Sequence, residues 1–72
     1  MGTSKVFFNV SGDRVFANEN SASIVLRAIK HWGSPLDLNA VTEKNNSVMF
    51  SKEYLERFSW MCHHMGYEVV VR

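Results

Sequence analysis

The stretch that decides the fold is Ser51–Arg72, SKEYLERFSWMCHHMGYEVVVR, in which a helical period gives way to an alternating one. At about 100° per residue, Tyr54, Leu55, Phe58, Met61, Cys62 and Met65 fall within an arc of roughly 120°, the width of a core-facing helix stripe. Ser51 is placed to act as N-cap, its hydroxyl accepting from an unpartnered first-turn N–H. Glu53 suits the positive end of the helix dipole, His63 and His64 suit the negative end, and Gly66 supplies the left-handed residue that stops the helix. The spacing therefore predicts a helix from Lys52 to Met65. Beyond Gly66, Tyr67, Val69 and Val71 alternate with Glu68, Val70 and Arg72, a β-branched run at period two. It predicts a closing strand paired inside a sheet, with Val70 implying that its second face is partly covered.

One residue breaks the pattern of that helix. Trp60 lies almost opposite Phe58, among Glu53, Glu56, Arg57, His63 and His64. Glu53 and Arg57 stand one turn apart in the favourable order, as on a solvated face. Single exposed apolar residues are ordinary, and an indole can simply cover a loop of its own monomer. Tryptophan is also the commonest anchor of binding surfaces. Trp60 is accordingly the candidate partner-binding anchor, with Glu53, Glu56, Arg57, His63 and His64 as its polar rim.

The N-terminal half supplies what this helix covers. Lys5–Val10, KVFFNV, reads as a strand, and Ser11-Gly12-Asp13-Arg14 as a tight hairpin turn. That register sets Val10 opposite Val15, Asn9 opposite Phe16 and Phe8 opposite Ala17. Val6, Phe8, Val10, Val15 and Ala17 then share one face, small enough to lie under helices. Phe7 and Phe16 share the other with Asn9 and Arg14. Exposed aromatics on a sheet are how some RNA-binding domains stack bases, whereas a second layer built from Pro35–Asn46 would simply bury them.

Asn18–Ser21 offers several N-caps for a first helix running to Trp32. Ala22, Val25, Leu26, Ala28, Ile29 and Trp32 form its apolar stripe, which makes Trp32 core; Ser23, Arg27 and Lys30 face away. Gly33-Ser34-Pro35 ends it. In the next segment Leu36, Leu38 and Ala40 alternate with Asp37, Asn39 and Val41, and we read a strand, although Ser34-Pro35 also fits a helix start. Glu43–Asn46 reads as a polar turn and Ser47–Phe50 as a short strand. The order is ββαββαβ, an α+β domain with a mainly antiparallel sheet and two helices packed on one face.

Seventy-two residues allow one domain, residues 1–72, and 46% hydrophobic content is too apolar for a disordered chain. A core this small gives only about 3–5 kcal/mol, and a single cysteine forms no internal disulfide, which favours a partner. A formal net charge of +1 favours neither nucleic acid nor membrane. The start, MGTSKV, lacks the regions of a secretory signal and has Val6 where myristoylation wants Ser or Thr, so a cytoplasmic protein is expected.

Cys62-His63-His64 suggests a metal, but adjacent helical residues point about 100° apart and do not close on one ion. Cys62 falls on the apolar stripe, where burial disarms a thiol. No serine elbow, phosphate-binding glycine loop or paired-carboxylate spacing occurs, so no enzyme and no cofactor is expected. The chain reads as a non-enzymatic protein–protein interaction module, a small adaptor or inhibitor acting by surface occlusion. Stand-alone chains of this size often come from phages or mobile elements, an expectation from size alone. The alternative is a small nucleic-acid-binding domain using Phe7, Phe16, Arg14, Arg27 and Lys30. A homodimer through Trp60 is compatible with either.

Overall fold

The hairpin forms in the expected register. The structure is a computed structural model and describes residues 4–72. The N-terminal MGT, read above for leader and lipid signals, lies outside the described residues. Strands β1 (Lys5–Ser11) and β2 (Arg14–Asn18) pair antiparallel, with Asn9 opposite Phe16 and Val10 opposite Val15. Gly12 takes φ 61° in the turn between them, a left-handed conformation that costs glycine little.

Three more strands complete the sheet: β3 (Thr42–Lys44), β4 (Ser47–Ser51) and β5 (Glu68–Val71). Their order is β3-β4-β2-β1-β5. All neighbours are antiparallel except β1 and β5. The closing strand thus pairs as expected but parallel to β1 and at the sheet edge. Its end is held there by Arg72, whose N–H donates to the Phe8 carbonyl at 2.8 Å. The β3–β4 turn is shorter than the polar run suggested. Glu43 and Lys44 belong to the strand, and Asn45 and Asn46 alone make the turn, both at positive φ, which asparagine tolerates.

The helices α1 (Asn20–Trp32) and α3 (Leu55–His64) pack on one face of this sheet. Val6, Phe8, Val15, Ala17, Val48 and Phe50 rise from the strands to meet Val25, Ala28 and Ile29 of α1 and Phe58, Met61 and Cys62 of α3, all buried. Phe50 sits 5.5 Å from Phe8 and 4.8 Å from Phe58 by ring centroids, edge to face with each. Tyr54 stacks on Phe58 at 5.2 Å. The helix ends differ from expectation. Ser51 closes β4 and makes no side-chain cap; a 3-10 turn over Lys52–Tyr54 leads into α3 instead. At α1 the cap position falls on Glu19, at φ 51° and without a side-chain cap. Ser21, in the first turn, accepts the Phe7 N–H on its hydroxyl at 3.0 Å and so ties the helix start to β1.

Residues 35–39 form a short helix, α2 (Pro35–Asn39), where a strand was expected. The reason lies in Asp37, the one buried carboxylate among the described residues, its side chain 5% exposed. Its Oδ2 accepts the Ser34 N–H at 2.8 Å, which closes the first turn. From α3, Arg57 donates Nε to Oδ1 at 2.6 Å and Nη2 to Oδ2 at 2.7 Å, a bidentate pair across 20 residues. A strand would point Asp37 away from both partners. Gly33 completes the corner: a Cβ there would lie 2.8 Å from the Ile29 carbonyl oxygen and 3.0 Å from Asp37 Oδ2.

The Arg57 guanidinium, and then the Ser34 donors, hold the Asp37 carboxyl far below its ordinary value of 3.8 despite the opposing effect of burial. A depressed folded-state value gives stability that is complete above the unfolded value and lost as pH falls through the folded one. Asp37→Asn is therefore expected to lower stability by about 1–2 kcal/mol at pH 7, read as a Tm drop of roughly 5–15 °C. The gap between it and the wild type should narrow below pH 3.8 in urea titrations. A constant gap from pH 7 to 2.5 would mean that Asp37 acts only through its shape.

Candidate functional site

The wheel position of Trp60 proves decisive. It projects from the outer side of α3 and is 50% exposed. Trp32, expected in the core, is 44% exposed beside it. Trp32 is the last residue of α1. Their rings meet edge to face with centroids 5.6 Å apart at 83°. His64 closes the group, 4.0 Å from Trp60 and 5.6 Å from Trp32, while His31 lies 5.2 Å from Trp32. Edge-to-face pairs are worth about 0.5–1.5 kcal/mol, which favours this arrangement of the rings.

The expected rim divides. Glu53, Glu56, His63 and His64 are exposed around the indole, Glu53 in the 3-10 turn. Arg57 turns to Asp37 rather than to Glu53, so its charge is already matched. That ion pair braces the α1–α2 corner against α3 and so supports Trp32 where it meets Trp60. Glu53 and Glu56 make no salt bridge among the described residues, and Arg27 reaches the far end of the surface at the Tyr67 hydroxyl. A shallow groove continues from Trp60 past Glu56 and His63 to Tyr67 and Glu68. Trp32, His31, Tyr67 and Glu68 belong to this surface and were not selected by sequence reasoning. Periodicity assigned Trp32 to the core, and Tyr67 is brought in only when β5 docks.

The residues named for nucleic acid do not all meet. Phe7, Phe16 and Arg14 share the sheet face turned away from the helices. Arg27 and Lys30 stand on α1, in the opposite layer, where Arg27 Nη2 donates to the Tyr67 hydroxyl at 3.1 Å. The Pro35–Asn46 segment forms no second layer over Phe7 and Phe16: α2 packs against α1 and pairs with α3, and Thr42–Lys44 enters the sheet itself as β3, beside the Phe16 hollow.

Cys62 is fully buried, and burial pushes its thiol up to about 11. His63 and His64 point to solvent from the next two positions. Among the described residues no three His, Cys, Asp or Glu side chains converge on a point that could hold a metal ion. No helix among them is long and apolar enough to cross a membrane. Compared with protein-family models, curated proteins and solved structures, the chain finds no match in any of the three.

The thiol of Cys62 is expected to be silent toward a thiol-exchange reagent at pH 8 in the folded protein and to react in full once urea unfolds it. Rapid reaction of the native chain would place Cys62 outside the core.

Proposed function

We propose that the protein is a non-enzymatic binding module that occludes a surface of a protein partner through the Trp32–Trp60 patch. The observation that carries this reading is the pair itself: two adjacent tryptophans, each about half exposed, packed edge to face, with His64 against Trp60. Exposing two indoles is unfavourable for a solitary small domain, and burying them centrally is what anchors binding interfaces. An aromatic patch packed in this way also loses little side-chain entropy on binding.

Charge narrows the partner. Glu53, Glu56 and Glu68 edge the patch and its groove, while Arg57 is already paired. The partner suited to it is a protein surface with an apolar centre and lysine or arginine at its margin. One such cation can lie over the Trp60 ring within reach of Glu56, combining cation–π attraction with a carboxylate.

A photo-reactive residue placed at Glu56 in the tagged chain should cross-link a discrete protein in nuclease-treated lysate. With that partner purified, Trp60→Ala is expected to weaken binding by roughly thirtyfold and Trp32→Ala by roughly tenfold. Both variants should stay folded, with thermal stability within about 1 kcal/mol of the wild type. Equal binding by the double variant, or cross-linking from Arg14 instead of Glu56, would overturn the placement. Dimerisation of the wild type that Trp60→Ala abolishes in sedimentation would identify the partner as a second copy of the chain.

A further inference from the structure

The sheet face turned away from the helices is a second surface with a different chemistry. Strand alternation places Lys5, Phe7 and Asn9 of β1 there, with Arg14, Phe16 and Asn18 of β2. Thr42 and Lys44 of β3, Met49 of β4 and Val70 of β5 join them by register. Phe7 lies diagonal to Phe16, because Asn9 is the residue opposite Phe16. That offset sets the two rings about 7–8 Å apart by backbone spacing.

Each ring floors its own hollow. One, of about 310 Å³, surrounds Phe7 with Lys5, Asn9, Asn18 and Arg72. The other, of about 300 Å³, surrounds Phe16 with Thr42, Lys44, Asn45, Ser47 and Met49. The Ser47 hydroxyl donates to Asn18 Oδ1 at 2.8 Å and joins the wall between them. The Arg72 guanidinium lies over the Phe7 ring, 4.4 Å from its centroid, held there by the pairing of its backbone with β1. It covers that face of the ring, so a base stacking here meets the guanidinium with Phe7 behind it.

Cations gather on this face. Of eight lysines and arginines in the chain, it holds Lys5, Arg14, Lys44 and Arg72. Of seven acids, Glu68 alone takes a strand position on it; Glu19 stands at the rim of the Phe7 hollow, and Asp13 lies 4.0 Å from Arg14 at the hairpin tip. The face thus carries four cations against one acid, with two further acids at its margin.

We propose that this face binds single-stranded RNA, with one base on the Phe7–Arg72 platform, the next on Phe16, and the intervening phosphates facing Lys5, Arg14 and Lys44. Flat rings with flanking cations are the elements that hold single strands, since every base has a face to stack and every linkage a charge. The amides of Asn9 and Asn18 and the hydroxyls of Thr42 and Ser47 both give and accept hydrogen bonds. They match the 2′-hydroxyl that separates RNA from DNA. A duplex keeps its bases stacked on each other and offers these rings nothing.

The test is fluorescence anisotropy with a labelled twelve-nucleotide single-stranded RNA of mixed sequence, from 50 to 300 mM KCl. Binding is expected with a slope of log K against log salt of about −2, as three phosphate contacts to a single strand imply. Phe7→Leu and Phe16→Leu should each weaken it about tenfold. Arg14→Gln with Lys44→Gln, both at exposed positions that the fold does not need, should reduce the slope by about 1. Duplex RNA and single-stranded DNA of the same length should bind at least about tenfold more weakly. Trp32→Ala with Trp60→Ala should bind RNA as the wild type does, which separates this face from the tryptophan patch. No binding at 50 mM salt, or binding indifferent to both the ring and the charge variants, would overturn the proposal. Equal affinity for DNA or duplex would overturn the choice of RNA.

Discussion

Phe50 holds the two layers together. It lies between Phe8 on the next strand but one and Phe58 on α3, edge to face with both, and no solvent reaches any of the three. Around it the strands give one face to the core and the helices give one stripe each. A chain of 72 residues has only two long helices to place, and both are needed on the same side. The other side of the sheet is left to water as a direct consequence. Everything that can meet a partner follows from that one-sided burial: a bare strand face with its phenylalanines, and the outer edges of two helices with their tryptophans.

How much of this was legible in the sequence depends on how far apart the deciding residues stand. The hairpin was fully readable, because Gly12-Asp13 and the flanking alternation fix the pairing of Asn9 with Phe16 within a few residues. The stripe of α3 was readable for the same reason, and Phe58, Met61 and Cys62 are buried as its period requires. The segment after Gly33 was not. Leu36, Leu38 and Ala40 satisfy alternation, yet Leu36 is 78% exposed and the chain is helical there. What decides the matter is Asp37 meeting Arg57, a pairing 20 residues away that no local window contains.

The candidate surfaces divide in the same manner. Trp60 could be found because it contradicts its own helix. Trp32 could not, because it agrees with its stripe and yet, at the end of α1, is 44% exposed. The cations behave alike. Arg27 and Lys30 drew attention by lying close together in sequence, whereas Lys5, Arg14, Lys44 and Arg72 come from four separate stretches and meet only through strand register. Net charge hides them further, since the seven acids of the chain nearly cancel its eight cations.

The brace between Asp37 and Arg57 links stability to the tryptophan patch. Gly33 leaves no room for a side chain at the corner, so α2 must turn back tightly after Trp32. The ion pair then fixes that corner to α3 three residues before Trp60. An arginine half exposed at the edge of a binding surface would ordinarily be counted as part of its rim. Here two of its N–H donors are committed to Asp37, which takes its charge out of the rim. The same contact that ties α2 to α3 therefore also removes one cation from the proposed surface. Loss of Asp37 would free Arg57 and loosen that corner at once, so stability and the charge of the proposed surface are coupled through one carboxylate.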